Sequence, residues 1–391
     1  MMASSKLKKR LLFPIAALLI GSLPILGLEL VLRAFNIAAP ETVVDRSFGF
    51  GPYQPLFVLT KDKTQLRTSQ NKALYFGTQR FTPEKRETDY RMFFLGGSTV
   101  RGRPFTVDTA FAKWVELELN ARSPDNTTYQ SINCGGLSYA SYRLARINQE
   151  ILQYDPNLVV LATGHNEFLE DRSFTAAKAN QTDVSPISSW RSVNWIRSLA
   201  GDDLESFKTN SEKRLPANVT ARLDAKSGYA SYQWDPVWKR DVIGQYRESI
   251  TEIISQCQTK DIPILLVCLG SNLRDCPPIK SELPLTLSNT TRQKWLNLFD
   301  QATRHRDNPS TALKFYQQCS AITEEHALLH YRIARCFEQL GQNQAARKHY
   351  LLSKDHDICP LRLTEQMDRV IRELADQFDV PLVDGRRVLE R

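Results

Sequence analysis

The chain has 391 residues, 42% of them hydrophobic and 24% charged, and a formal net charge of +8. These are ordinary values for a globular protein with a buried core, in one large domain or two moderate ones. The positive charge comes with no zinc-finger spacing, RNP-like strand or dense basic stripe, so nucleic acid is not an expected partner.

Lys6, Lys8, Lys9 and Arg10 precede an apolar run from Leu11 to Leu32, broken only by Glu29. Its 22 residues would make a helix of about 33 Å, enough to cross a bilayer. A signal peptide has a shorter apolar core and a small-x-small site, and Ile37 and Pro40 make a poor context for cleavage at Ala38 or Ala39. Residues 1–36 are therefore expected as a single-pass membrane anchor. Its basic tip would lie in the cytoplasm and the body in the periplasm or another extracytoplasmic space. A cleaved signal and a buried core helix are the alternatives.

Residues 37–90, with Pro40, Pro52 and Pro55, read as a stalk or loose entry segment. From Arg91 onward, short apolar runs alternate with amphipathic helices. The expected strands are Met92–Leu95, Tyr129–Asn133, Asn157–Ala162, Asp261–Leu269 and Val380–Val383. The expected helices are Thr109–Arg122, Tyr142–Tyr154, Ile243–Cys257 and Arg362–Phe378, the first facing inward with Phe111, Trp114, Val115 and Leu117. Strands apolar on both faces and separated by helices imply an α/β fold, a five-stranded parallel sheet covered on both sides.

Two stretches depart from this alternation. Residues 168–236 are polar with interspersed tryptophans and read as a lid-like insertion. Residues 308–357 carry a repeat, because Ala312 and Tyr316 recur as Ala346 and Tyr350 at an offset of 34 residues. With Ile333, Ala334, Phe337 and Gly341, the second copy has the small and large residues that a tetratricopeptide (TPR) helix pair needs. One complete pair and the second helix of another can be counted. Too short for an independent solenoid, the segment must lean on the body of residues 91–391.

The seven cysteines show no CxxC spacing, so no metal or redox centre and no cofactor is expected; a Cys268–Cys276 pair stays open. The chemistry lies at the ends of the strands, where catalytic groups of parallel sheets gather. After the first strand comes Gly96-Gly97-Ser98-Thr99-Val100-Arg101-Gly102. Glycines at a strand-to-helix turn let a backbone approach a ligand closely, and the helix start favours a developing oxyanion. After the second strand comes Asn133-Cys134-Gly135-Gly136-Leu137-Ser138-Tyr139, and after the third Thr163-Gly164-His165-Asn166-Glu167.

Together these three motifs resemble the consecutive blocks of the SGNH (GDSL-like) hydrolase superfamily, over about residues 91–391. The resemblance implies a flavodoxin-like three-layer αβα sandwich with Ser98 as nucleophile and Asn166 as side-chain donor to the oxyanion. It also implies a second-block backbone donor, either Ser138, which stands where the family has glycine, or Gly136. Gly97, Gly136 and His165 are expected around the substrate, His165 as a supporting residue, with a solvent-facing or base role as alternatives. Glu167 replaces the usual Asp as a supporting carboxylate. Arg101 and Arg103 could face an anionic substrate or simply solvent.

A serine nucleophile needs a base. The family takes it from a DxxH block after the last strand, and none of the six histidines stands in such an arrangement. Truncation, a binding-only descendant, or substitution by a histidine such as His165 would each account for that. The expected function is an esterase or deacylase acting on an acylated small molecule, polysaccharide or lipid. O-acyl transfer to an exopolysaccharide and non-catalytic binding are the alternatives, with a protein partner possible on the TPR-like helices.

Overall fold

The computed structural model describes residues 24, 27–32, 55–123, 126–170 and 228–389. The chain divides into two compact units, residues 1–54 with 173–217 and residues 55–172 with 218–391, and both sheets belong to the second. No helix among the described residues is long and apolar enough to cross a membrane. Most of the expected span, and residues 171–227 of the expected lid, lie outside the described residues.

Residues 55–90 are not the expected loose stalk. Strands β1 (Phe57–Leu59), β2 (Leu66–Thr68) and β3 (Arg80–Phe81) form an antiparallel sheet, with the short helix α1 (Ala73–Phe76) between the last two. Leu56, Phe57 and Phe76 are almost completely buried. The Glu150 carboxylate accepts the Leu56 and Phe57 N–H groups at 2.7 and 2.9 Å, which pins this segment to the larger fold.

The main sheet consists of β4 (Asp89–Gly96), β5 (Thr128–Gly135), β6 (Leu158–Ala162), β7 (Ile264–Cys268) and β8 (Leu382–Asp384), in the spatial order β5-β4-β6-β7-β8 and all parallel. Each expected strand is present, with ends displaced by up to three residues. Alternation along β4 shows how the sheet is covered. Met92 and Phe94 join Val160 and Ala162 against α3 (Phe111–Arg122), while Phe93 on the opposite face meets Phe81 and Tyr154. On α3 the inward stripe is Phe111, Val115 and Leu119, spaced four apart. Trp114 and Leu117, expected inside, lie off that stripe and are 65% and 49% exposed. Helices α4 (Ser141–Ile151), α5 (Pro236–Thr259) and α10 (Glu365–Gln377) pack in sequence, α4 on α5 and α5 on α10.

Between β7 and α10 run α6 (Asn289–Arg304), α7 (Pro309–Ser320), α8 (Ala327–Gln339) and α9 (Asn343–Asp355). They pair as two hairpins, α6 with α7 and α8 with α9. The sequence repeat disclosed only the last three of these helices; α6 supplies the missing first partner, and its Trp295 lies in a core with Ala312, Tyr316 and Ile333. Ala334, Ala346 and Tyr350 form the contact between α8 and α9. All seven cysteines are free thiols, including Cys268 and Cys276.

Four histidines meet in the second hairpin. A ring nitrogen facing a carbonyl must carry the proton, so His330 donates from Nε2 to the Glu324 carbonyl at 2.7 Å. Its Nδ1 is then an acceptor, and His349 must donate from Nδ1 across 3.0 Å. His356 stacks on His330, and His326 accepts the Leu329 N–H to cap α8. Burial holds His326, His349 and His356 down at about 4, and it lowers His330 as well.

Two outcomes are expected. Ala346→Leu should overpack the α8–α9 contact and destabilise the protein by about 1–3 kcal/mol, seen as a lower thermal midpoint. The histidines bind fewer protons folded than unfolded, where imidazoles titrate near about 6.5. Their contribution to stability is full above that value and is lost as the pH falls towards about 4. The thermal midpoint should therefore drop on going from neutral pH to pH near 5, and less so when His330 and His349 are both replaced by Gln. A flat profile would show that these histidines do not stay neutral in the fold.

Candidate active site

Strand β4 must stop where it does. A Cβ on Gly96 would fall 2.2 Å from the Val100 side chain and 2.3 Å from the Ala162 carbonyl oxygen, so only glycine permits the turn. Gly97 follows in extended conformation and starts α2 (Ser98–Arg101), a single turn closed by Gly102 at φ 92°. Ser98 is half-buried at the first helical position. Its N–H has no intrahelical acceptor there and meets none elsewhere among the described residues.

The loop after β5 is tied to this turn. Asn133 donates from Nδ2 to the Val100 carbonyl at 2.7 Å and accepts the Gly135 N–H at 2.9 Å. A Cβ on Gly135 would lie 2.2 Å from the Arg101 nitrogen. Gly136, expected beside the substrate, is instead a packing point. Its N–H donates to the Gly96 carbonyl, and the rings of Tyr139 and Phe76 press on its Cα. Ser138 adopts φ 62°, the left-handed conformation that glycine takes most easily, and its N–H meets no acceptor among the described residues. Of the two candidate amides in this loop, the one at Ser138 is therefore available and the one at Gly136 is spent.

The loop after β6 closes the constellation. Asn166 donates from Nδ2 to the Tyr139 carbonyl at 3.0 Å. The same nitrogen stands 2.3 Å from where a Cβ on Gly97 would be. An amide carries two N–H bonds, so one remains after Tyr139 is satisfied. Glu167, fully buried, accepts the Ser141 N–H at 2.8 Å and its hydroxyl at 3.0 Å, fixing the start of α4. Beneath it Arg143 and Glu170 form a buried ion pair, and the guanidinium lies 5.4 Å from the Tyr139 ring centre. Burial pushes Arg143 down to about 10.

His165 has a different place. Its Nδ1 accepts the Leu363 N–H at 2.9 Å, so the neutral ring carries its proton on Nε2. Gly164 at φ 135° allows the Leu363 side chain to lie directly against the backbone. Burial drives His165 down to about 4. With Nδ1 accepting from Leu363 and Nε2 protonated, His165 ties the loop after β6 to the segment before α10 and keeps no lone pair for a proton from Ser98.

The structure thus sets Asn166 against Gly97, holds Ser98 and Ser138 on the loops after β4 and β5 at the same edge of the sheet, and uses Gly136 and His165 for packing and support. Asn133, Arg143 and Glu170 escaped the sequence reading. For Asn133 the signal was present, an Asn two residues before a glycine at a strand end. For the ion pair nothing local marks the partnership, since its members are 27 residues apart.

No family model matches the sequence, and no curated protein matches it. Among solved structures, two mutants of the esterase AlinE4 are similar at TM-score 0.31 and 10% identity, each over 77% of this chain and 77% of that one. The crystal structure of AlinE4, described as an SGNH-hydrolase family esterase, is similar at TM-score 0.26 and 12% identity, over 48% of this chain and 63% of that one. Likeness at this level fixes neither family nor activity, and the site stands on its own geometry.

Gly97→Ala should drive a methyl into the Asn166 amide, lowering stability by about 1–3 kcal/mol. Ser138→Gly should be tolerated, whereas Ser138→Val, β-branched at positive φ, should cost about 1–3 kcal/mol. Thermal melts of the three variants check this; equal midpoints for Ser138→Gly and Ser138→Val would contradict the left-handed backbone.

Proposed function

We propose that this chain is an ester hydrolase of the SGNH type that forms an acyl-enzyme on Ser98. The observation that carries the reading is the convergence of Ser98 with three hydrogen-bond donors. These are the unspent N–H groups of Ser98 and Ser138 and the second Nδ2–H of Asn166, brought to one edge of the sheet by three separate loops. When the Ser98 hydroxyl attacks an ester carbonyl, the oxygen that gains charge needs such donors fixed before the reaction begins. Gly97 contributes by having no side chain between the serine and the Asn166 amide.

Several finer assignments belong to the same proposal. The order β5-β4-β6-β7-β8 is second, first, third, fourth and fifth along the parallel sheet, and it supports a flavodoxin-like arrangement. The small-residue contacts at Ala312, Ala334 and Ala346 support a TPR-like character for the hairpins. The basic cluster before Leu11–Leu32 supports a membrane anchor and an extracytoplasmic body.

The 391 residues contain no Asp-x-x-His motif, and His165 is committed to backbone. Turnover by this polypeptide should therefore be slow, relying on the oxyanion donors without a histidine base. A fluorophosphonate should label the protein on Ser98 slowly, faster when imidazole is added, and fail to label Ser98→Ala. Imidazole added to the buffer should speed hydrolysis of a short acyl ester beyond its own background, and only when Ser98 is present. Asn166→Ala should lower the Ser98-dependent rate roughly 10²–10³-fold. Labelling that persists in Ser98→Ala would overturn the proposal.

A further inference from the structure

Arg101 shares the single turn of α2 with Ser98, three residues further on and so on the same side of the helix. Its side chain is half-buried. The Nε is enclosed without a hydrogen-bond partner and lies 3.8 Å from where a Cβ on Gly77 would be, with a terminal nitrogen at 3.9 Å. The terminal nitrogens are not enclosed, and they meet no acceptor or carboxylate among the described residues.

Other inward-turned arginines among the described residues have found acceptors, and the fully buried Arg91 donates to the Tyr154 and Thr82 carbonyls. Arg143 pairs with Glu170, Arg362 with Asp357, Arg372 with Asp368 and Asp384, and Arg386 with Glu365 and Asp368. A half-buried guanidinium loses hydration and regains it only through an acceptor. Arg101 is thus a packed cation beside the nucleophile, its planar fork still open to an oxyacid.

We propose that Arg101 recognises a carboxylate on the body of the substrate, so that the ester cleaved at Ser98 is carried by an acidic sugar; this rests on the hydrolase reading of Ser98. A carboxylate fits the fork in two parallel hydrogen bonds. Exposed Thr99 and Arg103 and half-buried Ser138 offer hydrogen bonds to a saccharide, and exposed Phe105 offers an apolar face to its ring. Arg103, two residues past the end of α2, is exposed and adds positive potential without being held in place.

The test is calorimetric binding of trigalacturonate and of neutral galactotriose to the full chain at low ionic strength. The acidic trimer should bind at least about 10-fold more tightly, the effect of one charge-assisted pair. Arg101→Gln should erase that difference, and Arg103→Gln should change it far less. Arg101→Lys keeps the charge but loses the fork; it should bind the acidic trimer less tightly and gives a second reading if Arg101→Gln folds poorly. Equal affinity for the two trimers, or a preference that survives in Arg101→Gln, would overturn the proposal. So would binding to anionic phospholipid vesicles with none to trigalacturonate. Binding needs no turnover and should persist in Ser98→Ala. A failure of fluorophosphonate labelling therefore counts against the nucleophile alone, and a failure of acidic discrimination against Arg101 alone.

Discussion

Everything at the carboxyl edge of the sheet depends on the Asn166 side chain being allowed to lie against Gly97. The amide nitrogen sits where any side chain at position 97 would have to be, and it reaches on to the Tyr139 carbonyl. One buried amide thus joins the loops after β4, β5 and β6. Buried polar groups are costly unless bonded, so this contact also decides where the three loops come to rest. The loop after β5 cannot swing away without leaving both the Tyr139 carbonyl and the Asn166 amide unsatisfied.

Around that contact the structure uses buried charge to hold the loop between β5 and α4. Glu167 takes the first amide and hydroxyl of α4, and Arg143 meets Glu170 with Tyr139 lying against the guanidinium. Breaking one partner of such a pair leaves an uncompensated buried charge, which costs far more than the intact pair contributes. Rigidity of this kind is what an oxyanion site requires, because donors that must reorganise during the reaction give back much of their benefit. Ser138 is held in a left-handed conformation by the same framework, with its amide left unspent.

The helical hairpins follow a different physical rule. Their inner contacts are made largely by alanines and aromatics, and His330, His349 and His356 of the second hairpin lie against one another as neutral rings while His326 caps α8. His330 can serve as donor to a carbonyl and acceptor from His349 only in one tautomer, so the arrangement is specific as well as buried. A second proton on His330 would remove the acceptor that His349 needs.

Much of this was legible in the residues alone. Four of the five parallel strands were marked by apolar runs, and three of the four hairpin helices by an alanine and a tyrosine recurring at 34 residues, because both patterns are local consequences of what a strand or a helix must bury. Ser98, Ser138 and Asn166 stood out through the resemblance of the three strand-end motifs to consecutive SGNH blocks. Other features had no local signature. Residues 55–90 looked like a stalk, since their strands are two or three residues long and their order comes from Glu150, far along the chain. Trp114 and Leu117 looked like core because helical spacing says which residues share a face, not how wide a stripe the sheet will cover. The roles of Gly136 and His165 turned on which N–H and ring nitrogens were already spent, and that accounting exists only once distant backbone groups have been brought within hydrogen-bonding distance.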